Sequence, residues 1–131
     1  MKKLLTLAAT LAFIIPASAA MAGSYSGKWQ MTVTQSQRYN GKHCLTLSDD
    51  GSFGFPHSGL ATLDNLPYGT FEVIGRFIVI TIDDGGTYQN AGSVYVAATR
   101  NFTLGTGAFS EDYNGESVDA GQIVFGANGS C

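Results

Sequence analysis

Charge is scarce in this sequence. Seven basic and ten acidic side chains are spread over 131 residues, and histidine occurs twice. With 44% apolar residues, that excludes a chain too polar to bury a core. The net charge of −3 and the pI near 5.1 offer no basic surface for nucleic acid, so no nucleic-acid partner is expected. No apolar run of about 18 residues occurs beyond the N-terminus, so no later helical membrane span is expected. Proline occurs only 3 times, and the 17 glycines follow no Gly-X-Y period, which excludes a collagen-like chain. There is no CxxC and no His/Cys cluster, and the fourteen-residue spacing of His43 and His57 fits no zinc finger, so no metal site or cofactor is expected. What remains is one small, glycine-rich domain.

The N-terminus carries an address. Lys2 and Lys3 precede an apolar stretch from Leu4 to Ile15, which Pro16 breaks. Ala17-Ser18-Ala19 and Ala20-Met21-Ala22 are small-x-small cleavage options. Residues 1–22 therefore read as a secretory signal peptide of bacterial type, and 23–131 as a single all-β domain, exported to the periplasm or beyond. Removing the peptide takes away two lysines and leaves five basic and ten acidic side chains, a net charge of −5.

The remaining chain alternates with period two. Trp29, Met31 and Val33 share one face of a strand over Gly27–Gln35, with Lys28, Gln30, Thr32 and Thr34 on the other. Further strands are predicted over His43–Ser48, Ser52–Phe55, Thr70–Ile74, Phe77–Ile82, Ser93–Thr99, Phe102–Phe109 and Ala120–Phe125, with a shorter candidate over Gly59–Leu63. Phe77–Ile82 is apolar on both faces and reads as central. Asp49-Asp50-Gly51, Gly75-Arg76, Asp83-Asp84-Gly85-Gly86, Arg100-Asn101 and Tyr113-Asn114-Gly115 supply turn chemistry. Local hairpins predominate, so the expected fold is a small antiparallel meander barrel of eight or nine strands, the alternative being a partly open β-sandwich.

Cys44 and Cys131 are the only cysteines, and an even count in an exported chain points to one structural disulfide. Cys44 starts the second strand and Cys131 follows the last. In a plain eight-stranded meander these lie at opposite rims, and a five-residue tail reaches at most roughly 17 Å. A ninth strand near residues 59–63 would bring both to one rim.

Gly27-Lys28-Trp29 opens the first strand a few residues into the mature chain. This resembles the Gly-x-Trp opening of the calycins, the meander barrels that include lipocalins and avidins. The resemblance implies a barrel with Gly27 and Trp29 in structural roles, the Trp packing across a closed end. Two departures limit it. The only late Arg is Arg100, ahead of the last two strands, and Gln30-Met31-Thr32 with a single Trp lacks the avidin biotin-site pattern.

Chemistry-bearing residues are few. Either histidine, His57 beside Ser58 in particular, could join an Asp in a hydrolytic arrangement, but no Gly-x-Ser-x-Gly elbow accompanies them, and no catalytic residue is assigned. The acids cluster in predicted turns, with Glu72 the mid-strand exception, and the Asp-Gly stretches lack the alternate spacing of a calcium loop. Tyr39, Tyr68, Tyr88 and Tyr113 fall in predicted loops near Asn40, Asn65, Asn90 and Asn114, a composition suited to recognition. These four tyrosines and His57 are the candidate binding residues.

Three readings follow. The first is an exported barrel that holds a small ligand or recognises a protein or glycan through its loops, with Gly105, Gly107, Ala97 and Ala98 hinting at interior room. The second is a cell-envelope interaction or inhibitor protein with a filled core, contacting partners through the 56–67 segment. The third is an enzyme, which requires a histidine to meet a carboxylate in a pocket. No feature of the chain selects an oligomeric state.

Overall fold

The computed structural model describes residues 23–64, 66–83, 91–128 and 131. The proposed signal peptide, residues 1–22, lies outside them. Eight strands follow in chain order: β1 (Gly27–Thr34), β2 (Gly41–Leu47), β3 (Ser58–Leu63), β4 (Leu66–Ile74), β5 (Phe77–Asp83), β6 (Ala91–Arg100), β7 (Thr103–Tyr113) and β8 (Glu116–Asn128). Each pairs antiparallel with the next, and β8 returns to β1, so the sheet is a closed up-and-down barrel. Closure leaves no sheet edge to protect.

Alternation sorts the side chains. Trp29, Met31, Val33, Leu45, Leu47, Ala61, Leu63, Phe71, Ile78, Ile80, Ile82, Ala97, Leu104, Phe109, Ile123 and Phe125 fill the interior. The polar alternates of β1 face outward. Among the described residues, no helix is long and apolar enough to cross a membrane.

Several predicted elements change. Gly59–Leu63 is a full strand and Ser52–Phe55 is not. Gly51 (φ +73°) and Gly54 (φ +89°) turn the chain through an irregular loop over residues 48–57, with Gly54 N–H donating to Gly51 O. The Pro56–Pro67 segment is therefore mostly β3 and the start of β4 rather than a contact loop. Phe77–Ile82 is not doubly buried, because a closed sheet has no central strand. Ile78, Ile80 and Ile82 point inward, while Phe77 is 53% exposed. Gly107 marks close backbone approach rather than room, since a Cβ there would sit 1.8 Å from the Val96 carbonyl oxygen.

The disulfide joins Cys44 to Cys131, with Cα atoms 5.7 Å apart. No ninth strand is needed. Strand stagger places Cys44 opposite Gln30 on one side of β1, and Asn128 opposite Trp29 on its other side. Three further residues bring Cys131 beside β1, its Sγ 3.4 Å from the Trp29 carbonyl oxygen. The bond is consistent with an oxidising, exported environment.

One end of the barrel is plugged. The Trp29 Nε1–H donates to Tyr25 O at 3.0 Å. The rings of Tyr25, His57 and Phe102 pack together with centroids 5.1–5.4 Å apart. The buried Asp49 carboxylate accepts from Tyr25 N–H at 2.9 Å and meets His57 Nδ1 at 2.8 Å. Phe102 holds φ +60°, an unusual value for a large side chain, in the two-residue turn between β6 and β7.

Candidate functional site at the open mouth

Among the described residues, the other end is open. There the closing residues of β1, β3, β5 and β7 meet the opening residues of β2 and β6 around a cavity of about 80 Å³. Met31, Val33, Leu63 and Ile82 line it with apolar surface, Tyr39 and Tyr95 with aromatic surface, and His43, Asp64, Ser93 and Glu111 with polar groups. Tyr95 stacks on Phe109 at 5.3 Å, and Tyr39 meets the same ring edge-on. Burial raises the Tyr95 pKa.

The β1–β2 loop forms one wall. Its base is Asp119 of β8, which accepts from Ser36 Oγ at 2.7 Å and from Gln37 N–H at 3.0 Å. The Gln37 amide bond, followed by the Ser36 hydroxyl bond, holds the Asp119 carboxyl below the usual carboxylate range. Ser36 Oγ in turn accepts from the backbone N–H groups of Arg38 and Tyr39. Asn40 closes the loop on itself, accepting from Ser36 N–H and donating to Ser36 O. Tyr39 is thus carried over the mouth, where its hydroxyl donates to Glu111 Oε2 at 2.6 Å. Arg38 donates to the other Glu111 oxygen at 2.6 Å. The bond to Glu111, with burial behind it, pushes the Tyr39 pKa up to about 12.

His43 completes the rim. Its Nδ1 lies 2.7 Å from Asp64 Oδ2 and its Nε2 lies 2.7 Å from Tyr39 O. A carboxylate and a carbonyl only accept, so both bonds form together only when both nitrogens carry protons. The ring is then an imidazolium. Burial pulls its pKa down, but the bonds to Asp64 and to the Tyr39 carbonyl, with the Asp64 charge, outweigh that and raise it. Asp64, at φ +51°, exchanges hydrogen bonds with the Cys44 backbone. The enzyme reading required a histidine beside a carboxylate in a pocket, and His43 meets that geometry. So held, it has no lone pair with which to abstract a proton.

The candidate residues distribute unevenly. Tyr39 lines the mouth. Tyr68 lies within β4 and Tyr113 ends β7, so neither is a loop residue. Tyr88 lies outside the described residues. His57 belongs to the plug at the opposite end, fixed by Asp49. Glu111 was assigned to a turn, but β7 runs on through it. Asp119 drew no attention in the sequence. Period two carries the missed signal: Glu111 shares parity with the inward Phe109, and Asp119 shares parity with Ile123 and Phe125. Among the described residues, no three metal-ligating side chains cluster.

An all-β barrel with a plugged base and a polar-rimmed mouth is the class that fold and site define together. The sequence matches no protein-family model, and no curated protein or solved structure matches it either. The calycin likeness therefore rests on the barrel and on Gly27-Lys28-Trp29, where Trp29 is 2% exposed beside the plug. Arg100 lies exposed at the end of β6.

Proposed function

We propose that this is an exported binding protein that holds a small ligand in the mouth of its barrel. The observation that carries this reading is the junction of the apolar floor, Met31, Val33, Leu63 and Ile82, with a rim of Tyr39, His43, Ser93 and Glu111. Such a junction suits an amphipathic group, with its apolar end inward and a hydroxyl or amine at the rim. A cavity of about 80 Å³ is far below the roughly 300 Å³ of a drug-sized site. It takes a handful of heavy atoms, or the end of a larger molecule left in solvent. Five atoms at the ceiling of about 1.5 kcal/mol each give Kd values in the micromolar range at tightest. The signal peptide and the disulfide support export.

Native mass spectrometry on processed protein from its own host tests the cargo directly: an added mass lost on denaturation is expected. A second test uses n-butanol, titrated to millimolar concentration while backbone amide shifts are followed. Shifts clustered at Val33, Leu63, Ser93 and Tyr95, and abolished in Ser93→Phe, are expected. Shifts scattered over the outer surface and unchanged in that variant would count against the reading.

One observation favours the second reading, an interaction protein. On the outer face of β5–β8, Phe77, Val94, Val96 and Val124 are exposed, and Val79, Val96 and Ala108 sit side by side across three strands. No charge interrupts residues 77–81, 94–98, 106–110 or 120–126. This uncharged face covers about 400 Å² by strand spacing and rise, with Thr81, Thr106 and Gln122 exposed among its apolar side chains. For a processed chain of charge −5, an uncharged face is where a second copy can approach without repulsion. On this reading, sedimentation at about 100 µM shows a dimer that Val96→Lys dissociates. A monomer throughout removes self-association as the use of this face.

A further inference from the structure

We propose that His43 is a proton-operated latch: as an imidazolium it ties the β1–β2 loop, through the Tyr39 carbonyl, to Asp64 at the end of the neighbouring β3, and on losing its proton it lets go of that carbonyl. The inference deepens the binding reading by naming the control of the same site, and it rests on that reading only for its effect on a ligand.

The geometry is specific. Both ring nitrogens sit 2.7 Å from oxygens that can only accept. A neutral ring keeps one N–H. The Asp64 carboxylate is the stronger acceptor and retains it. The Nε2 lone pair then faces the Tyr39 carbonyl oxygen at hydrogen-bond distance, where both atoms repel. Tyr39 O has to move or take water, and Tyr39 carries the ring that walls the cavity.

The surrounding groups leave His43 as the element of this wall whose charge changes, from a pKa raised above the ordinary histidine value. Asp64 flanks it from the β3 end. Arg38 and Glu111 pair on the far side of Tyr39. Asp119, held below the usual carboxylate range, anchors the loop base in its charged form throughout. Tyr39, near 12, and Tyr95, also raised, remain neutral. The loop base at Ser36 and the bonds of the Tyr39 N–H to Ser36 and of its hydroxyl to Glu111 stay in place, so loss of the proton frees the Tyr39 carbonyl and loosens one corner of the wall rather than melting the loop. The sign follows. With a raised folded pKa, the clamp is complete below about 6.5, the ordinary histidine value, and is lost as pH rises through the folded value. Ligand retention is then greater on the acid side of the raised His43 pKa and release greater on its alkaline side.

The test is a titration of the intact processed protein from pH 5 to 9, following imidazole ¹⁵N shifts and backbone amides. His57, at the opposite end, is the internal reference. The expected result is a doubly protonated His43 on the acid side, with the Tyr39 and Asn40 amides moving at the His43 midpoint. The Kd for n-butanol should rise about tenfold across it, the scale of one lost charge-assisted bond. His43→Gln, which presents a permanent amide N–H, should flatten the Tyr39 and Asn40 response. Tyr39 and Asn40 amides that ignore the His43 titration overturn the latch, as does a Kd constant across it. If the coupled titration is intact but butanol binds at no pH, the latch stands and the binding reading fails.

Discussion

Trp29→Ala is expected to lower the unfolding free energy by about 3–5 kcal/mol, the usual range for emptying a large aromatic site in a packed core. Three features place it there. Trp29 is 2% exposed and among the largest fully buried side chains. It lies on β1 between Leu45 of β2 and Asn128 of β8, at the seam where the barrel closes. Its indole N–H satisfies the Tyr25 carbonyl, so truncation also leaves a buried acceptor unpaired. Against a typical stability of about 5–15 kcal/mol, such a loss brings the domain near its threshold. Urea unfolding followed by circular dichroism measures it, since the variant has no tryptophan left to report. Trp29→Phe keeps most of the ring and should lose roughly half as much. A loss under about 1 kcal/mol in Trp29→Ala would mean that the plug does not depend on this residue.

Removing the disulfide should have an effect of similar size by a different route. Cys44 and Cys131 are 87 positions apart. Cross-linking a loop of that length restricts the unfolded chain by about 4–5 kcal/mol on the chain-entropy account. The bond also ties the chain end beside β1, next to the β1–β8 seam. The Cys44→Ser, Cys131→Ser double variant should therefore unfold at markedly lower urea. Its folded-state spectrum should be unchanged at low temperature, since the Cys44 backbone bonds to Asp64 do not involve sulfur. An unchanged midpoint would show that the unfolded chain is already restricted without the bond. Combining this double variant with Trp29→Ala is expected to abolish folding, because together the two losses approach the whole stability.

Period-two alternation made the barrel legible. Trp29, Met31 and Val33 announced an inward face, and short turns such as Gly75-Arg76 made neighbours of consecutive strands. The cysteine pair was legible from its count alone. The Ser52–Phe55 strand was misread because Ser-Phe-Gly-Phe alternates in composition, whereas Gly51 and Gly54 at positive φ bend the chain there. The mouth was only partly legible. Tyr39 could be named from composition, but its partner Glu111 looked like a turn residue beside Tyr113-Asn114-Gly115. His57 drew interest because it stands beside a serine, yet a buried Asp49 commits it to the plug.

By itself, then, the sequence determined the things that local pattern governs: an all-β chain, which faces are apolar, where most hairpins turn, and an even pair of cysteines. The tertiary structure alone decided the rest. Closure of β8 on β1 made eight strands sufficient, because strand stagger, and no property of any single strand, brings Cys44 and Cys131 to the same side. Closure also brought His43, Asp64, Tyr39 and Glu111 to one rim from three parts of the chain. Their chemistry depends on distances of 2.6–2.7 Å between residues up to 72 positions apart, and no pattern along a chain records which distant atoms will face one another.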